Sequence, residues 1–308
     1  MKSWLGLTLI TLMVGGGCSR SIDPGRNYDG HFPLRKQTEY FDVRYRHDSS
    51  LIADIVRFDD AFIRLTNRDF FKADFDYPIR AFVAEDWKHF DEFVRQQLHV
   101  PGPASYGMYL DSHKLFATYE TSGLGTFTHE IMHPLVQRNL SSRPPWAEEG
   151  IPTFFEKFYG YWKDDELVLF WGFQNPWRIY ELGANLTNLD LRAIISERNS
   201  SGYFRSVDPS ESQRRMVSIF LWKQGRFRRF LRLIAARDKR GYGSYFEAAM
   251  ETPLERVIPL WQDYLQEVAQ RRTEILSLPL STVLDSQAAF ESFAKLHGIS
   301  TQQVRQQD

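Results

Sequence analysis

Residues 125–136 read GTFTHEIMHPLV, a stretch that holds two histidines four positions apart with a glutamate directly after the first. On an α-helix, positions four apart share a face, so His129 and His133 can offer both imidazoles to one metal ion while Glu130 stands beside them. A hydrolytic metal site takes three protein ligands and keeps one position open, so the helix alone is not enough. The chain must turn back and bring a further donor across the histidine face. The segment PPWAEEGIPTFFEKF supplies one, because Glu149 follows His133 by sixteen residues, enough for a turn and a second helix. Glu148 and Glu149 point about 100° apart on a helix, so only one of them can face the metal. The plainer alternatives are that the histidines are polar positions on an exposed helix, and that Glu148 and Glu149 answer the dipole of a helix N-terminus.

The flanking sequence fixes the fold class. YFDVRYR at 40–46 alternates as a half-buried strand does, and 51–71 carries apolar residues at helical spacing (Ile52, Ile55, Val56, Phe62). PIRAFVA at 78–84 predicts a second strand, and Trp87, Phe90, Val94 and Leu98 a second amphipathic helix. Two short strands, YGMYL and KLFATY, come next, and His113 between them reads as a turn residue. Past Thr126 the pattern turns helical, with Thr126 or Thr128 as cap, a helical stretch over 146–159, and later helices over 210–223, 226–237 and 252–275. Residues 161–188 read as a long aromatic loop. The expectation is an α+β fold: a small mixed sheet packed on helices, followed by a mostly helical C-terminal half. Its domain spans 39–276, divided into an α/β part at 39–123 and a helical part at 124–276, with 277–308 as a tail. Pro134 and Pro152 each remove a helical N–H beside a candidate ligand, which predicts kinks there.

H-E-x-x-H followed by W-x-x-E-G and a later glutamate (His129, Glu130, His133, Trp146, Glu149, Gly150, Glu156) resembles the gluzincin metallopeptidases. With the strand and helix order and the Leu-Trp-x-x-Tyr-Leu stretch at 260–265, the chain is similar to an uncharacterised bacterial branch of peptidase-MA-like proteins. The resemblance implies a zincin-like domain with Zn²⁺ held by His129, His133 and Glu149. It implies Glu130 as the general base, Glu156 outside the ligand set, and a peptide or protein substrate. No G-x-M-x-N motif precedes the histidines, so nothing supports an exopeptidase. The donor to the developing oxyanion stays unassigned, with Tyr180 and Tyr203 as candidates.

The N-terminus reads MKSWLGLTLITLMVGGGC, with Lys2 followed by an apolar run too short to span a bilayer and then by small residues. This is the layout of an export signal over 1–17. Cys18, the single cysteine, resembles the lipidated cysteine of a bacterial lipoprotein, with 18–38 as a polar tether. The expected location is the periplasm or cell surface, anchored through Cys18; a soluble exported protein is the alternative. With 38 basic and 39 acidic residues the chain gives no electrostatic reason to bind nucleic acid. The basic run QGRFRRFLRLIAARDKR places Phe227, Phe230, Leu231 and Ile234 at i, i+3, i+4 and i+7, which predicts a docked helix with a solvated arginine face. The sequence therefore suggests a zinc peptidase of the cell envelope. An inactive zincin-fold lipoprotein that binds a partner, and a metal hydrolase acting on another bond, are the alternatives.

Overall fold

The structure is a computed structural model that describes Tyr28 and residues 30–71, 78–100, 106–111, 114–140, 143–196, 210–236 and 241–300. The export-signal segment, Cys18, most of the tether, His113 and Tyr203 lie outside them. The strands are β1 (Leu34–Gln37), β2 (Phe41–Tyr45), β3 (Ile79–Ala84), β4 (Gly107–Leu110), β5 (Leu115–Tyr119), β6 (Tyr159–Lys163), β7 (Glu166–Phe170) and β8 (Thr282–Leu284). The helices are α1 (Ser50–Thr66), α2 (Trp87–Gln96), α3 (Leu124–Asn139), α4 (Pro145–Phe155), α5 (Pro176–Leu182), α6 (Leu191–Ile195), α7 (Glu211–Lys223), α8 (Phe227–Ala235), α9 (Tyr242–Met250), α10 (Leu254–Gln270), α11 (Arg272–Leu276) and α12 (Gln287–Leu296). The class is α+β, with mixed sheets of five and three strands and a mostly helical C-terminal half.

The first sheet runs β1-β2-β3-β5-β4, with β2, β3 and β5 parallel and the two outer strands antiparallel to their neighbours. Strand alternation divides its side chains between two cores. Ile79, Ala81, Val83 and Phe116 join the main core under α1 and α3, while Phe82, Ala84, Leu115 and Ala117 face Phe90, Phe93 and Val94 of α2. A parallel centre buried on both faces needs such covering helices. α1 provides one of them because Ile52, Ile55, Phe62 and Ile63 lie on its buried stripe and Ser49 caps its first turn at the amide of Ile52.

Three stretches depart from the sequence reading. The tether ends in structure: Tyr28 and Phe32 pack edge-on against Phe82 and Phe93, and β1 pairs with β2. β1 is an edge strand of sequence LRKQ with only Leu34 apolar, so it carries no alternation to read. Residues 161–188 are not a loop, because 159–170 form the β6–β7 hairpin, turned by Asp164 and Asp165 at φ 48° and 65°, and α5 follows. Two consecutive positive φ values are the requirement of a tight hairpin turn, and Asp tolerates them better than most residues. The predicted tail contributes β8, parallel to β6, and α12, packed on β6. The run 226–235 is the docked helix that its spacing predicts, with Phe227, Phe230, Leu231 and Ile234 buried.

Candidate metal centre

α3 leaves β5 through a short 3-10 turn and packs against β4, β5, α1 and α4. Neither Thr126 nor Thr128 caps it. The helix starts at Leu124 behind Gly123, whose φ is 91°, while the hydroxyl of Thr128 donates to the carbonyls of Gly125 and Phe155 and so ties α3 to the end of α4. At Gly125 an added Cβ would lie 2.6 Å from the carbonyl oxygen of Glu156, so the two helices meet there backbone to backbone. Both helices run on through their prolines, Pro134 in α3 and Pro152 in α4. The kinks expected at the two prolines therefore fall inside continuous helices and do not end either one.

This crossing brings the candidate ligands together. His129 Nε2 and His133 Nε2 lie 3.1 Å apart, and Glu149 Oε2 is 3.5 Å from the first and 3.7 Å from the second. Donor atoms of His129, Glu130 and His133 all lie within 4.8 Å of one another, a buried group that could hold a metal ion. A triangle of sides 3.1, 3.5 and 3.7 Å has a centre about 2.0 Å from each corner, the bond length at which imidazole and carboxylate hold small divalent metals. Glu149 Oε2 is buried and has no hydrogen-bond partner among the described residues, which fits a ligand atom and is costly for a merely structural carboxylate. Glu148 takes the other direction and accepts from Arg143.

The electrostatics follow from burial and from these neighbours. Burial pushes the His133 imidazole down to about 4, which keeps it neutral with a lone pair available. Burial pushes the Glu130 carboxyl up to about 8; His129 opposes this and Glu149 adds to it. For His129 burial works against the proton, yet Glu149 and Glu156 outweigh it and raise the imidazole well above its usual range. Burial also disfavours ionised Glu149, but His133 and His129 hold its carboxyl low.

Further side chains, several of them unmarked by any sequence pattern, surround this core. Glu130 sits against β4: a Cβ at Gly107 would lie 2.9 Å from Glu130 Oε1. The Tyr109 ring stacks on His133 at 5.6 Å and 8°, and its hydroxyl donates to Gln137. Behind His129, its Nδ1 lies 2.8 Å from Glu156 Oε1, and Arg178 and Asn175 of the α5 segment reach the same carboxylate. Arg178 and Asn175 fall in the stretch read as a loop, where no periodic pattern marks them. Tyr180, a candidate oxyanion donor, is 64% exposed and stacks on Trp177.

Among the described residues no helix is long and apolar enough to cross a membrane. No family model matches the chain, and no curated protein matches it in sequence.

Proposed function

We propose that the chain is a zinc-dependent, gluzincin-like peptidase, and that His129, His133 and Glu149 are its metal ligands. The observation that carries this reading is the triangle of three donor atoms, 3.1 to 3.7 Å on a side, with Glu130 beside it. Two imidazoles and a carboxylate are a donor set that suits zinc. Zinc, when bound, would supply a Lewis acid that polarises a carbonyl and lowers the pKa of water. Glu130 would accept the proton of the attacking water and return it to the leaving amine. Its buried, water-poor position suits that exchange, since a carboxyl raised towards neutrality both takes up and releases a proton near pH 7.

The position of β4 supports a peptide rather than a small ester as substrate. β4 is the last strand of its sheet, and it runs past Glu130 at Gly107 and past His133 at Tyr109. An extended peptide can add to such an edge as one more strand, which would lay its carbonyls beside the ligands. The reading places the enzyme in the bacterial cell envelope, on the strength of the N-terminal signal pattern and Cys18 alone. The inactive binding-protein alternative drew its support from Pro134 and Pro152; the ligand side chains converge despite both, which weakens that support.

The test pairs elemental analysis with hydrolysis of an unfolded protein substrate by the full chain. About one zinc per chain is expected, and Glu130→Gln should keep the zinc while losing about 10²–10⁴-fold in rate. Undiminished hydrolysis by Glu130→Gln would falsify the mechanism.

A further inference from the structure

Glu156 is buried, 7% exposed, at the point where α4 gives way to β6, and both of its oxygens are engaged. Oε1 faces His129 Nδ1 at 2.8 Å and also accepts from Arg178 Nη2. Oε2 accepts from Arg178 Nε at 3.1 Å and from Asn175 Nδ2 at 3.0 Å. The guanidinium therefore meets the carboxylate fork to fork, a pairing that fixes orientation as well as distance. A carboxylate so held has one free choice at His129: it accepts a proton on Nδ1. The other ring nitrogen, Nε2, is then left with a lone pair, and Nε2 is the atom that faces Glu149 and His133.

We propose that Arg178, assisted by Asn175, is the positioning residue of the metal centre: it aims Glu156 at His129 Nδ1 and so presents His129 Nε2 to the metal. This rests on the metal-centre reading above and extends it to α5, a helix that no sequence pattern connects to the histidines. Arg178 is not among the candidate ligands, and its effect passes through two intervening side chains, Glu156 and His129. Arg178 has a second set of partners, Glu211 at 2.8 Å and Glu181 at 3.4 Å, which join α5 to the start of α7. A purely structural Arg178 would act through those contacts instead, and the two roles can be separated.

The experiment measures zinc affinity of the full chain by competition with a chelator, together with the visible spectrum of the cobalt(II)-substituted protein. Arg178→Met and Glu156→Gln should each weaken zinc about 10–100-fold, and the double variant should be no weaker than Glu156→Gln alone. Glu211→Gln, which removes the nearer of the two structural partners and leaves Glu156 in place, should bind zinc as the unaltered chain does. Arg178→Lys keeps the charge without the fork, so it should weaken zinc and shift the cobalt bands while the protein stays folded; it decides the matter if Arg178→Met does not fold. Unaltered affinity and cobalt bands in Arg178→Lys and Arg178→Met overturn the proposal, as does an equal loss in Glu211→Gln. Failure of the unaltered chain to take up zinc overturns the metal-centre reading itself, a different result from zinc uptake that is indifferent to Arg178.

Discussion

The candidate ligand cluster and the groove between α1 and the β6–β7 hairpin hold similar inventories of charge in different surroundings. The groove encloses about 640 Å³ and is lined by Lys36, Arg57, Arg64 and Arg68 facing Asp60, Asp69, Asp165 and Glu166. Its ion pairs are wet: Arg57 meets Asp165 at 2.7 Å with the two side chains 50% and 92% exposed. In the cluster, by contrast, His129, Glu130 and Glu156 are all buried. Coulomb interactions gain several-fold in strength as water is excluded, so a few buried groups shift one another far more than a larger exposed set. Burial, rather than the number of charges, is what sets the candidate cluster apart from the groove.

The contrast can be tested by removing a carboxylate from each region. Glu149→Ala should cause the largest change, a loss of zinc affinity of at least about 100-fold by chelator competition, since a ligand contributes more than the groups that orient it. Gly107→Ala comes next. Its Cβ would lie 2.8 Å from a Thr126 methyl and 2.9 Å from Glu130 Oε1, so overpacking should cost about 1–3 kcal/mol in denaturant unfolding and displace the base. Stability equal to that of the unaltered chain would mean that β4 yields easily at the site.

Asp59 extends the comparison to a buried carboxylate without partners. It is 1% exposed, neither oxygen has a hydrogen-bond partner among the described residues, and burial followed by the nearby charge of Asp60 raises its pKa well above the usual value. The folded state thus holds a proton that the unfolded chain releases near pH 4. Its contribution is fully present below that pH and is lost as pH rises through the elevated folded value. Asp59→Asn should therefore gain stability relative to the unaltered chain as pH rises above about 4, measured as the difference between two denaturation series. Parallel series would show that Asp59 is solvated after all. The smallest effect belongs to the groove, where Asp165→Asn keeps a residue tolerant of positive φ and removes the ion pair with Arg57. It should change stability by less than about 1 kcal/mol and leave zinc uptake untouched.

Much of the fold was legible because its signals are local. The stripes of α1 and α2, the alternation of β2 and β3, the Ser210 cap of α7 and the spacing of the α8 core residues all repeat within a few positions. What escaped was structure supported from afar. β1 is polar and forms on the template of β2, and β8 depends on β6, 120 residues earlier for the Tyr159 hydroxyl that donates to the carbonyl of Pro279. The hairpin was readable in its two aspartates, but its aromatic strands looked like punctuation-rich loop.

At the site, sequence spacing determined that His129 and His133 share a helical face with Glu130 between them, because the period of an α-helix allows nothing else. It also put Glu149 within reach and separated it from Glu148. Only the tertiary structure decided that α3 and α4 cross closely enough for Glu149 to approach both imidazoles, that Gly107 lays β4 against Glu130, and that Arg178 and Asn175 arrive behind Glu156. The physical reason is one of range. Helical periodicity is set by backbone bonds four residues apart, whereas the placing of one helix on another is set by packing among side chains scattered along the chain, and no short stretch of sequence contains that information.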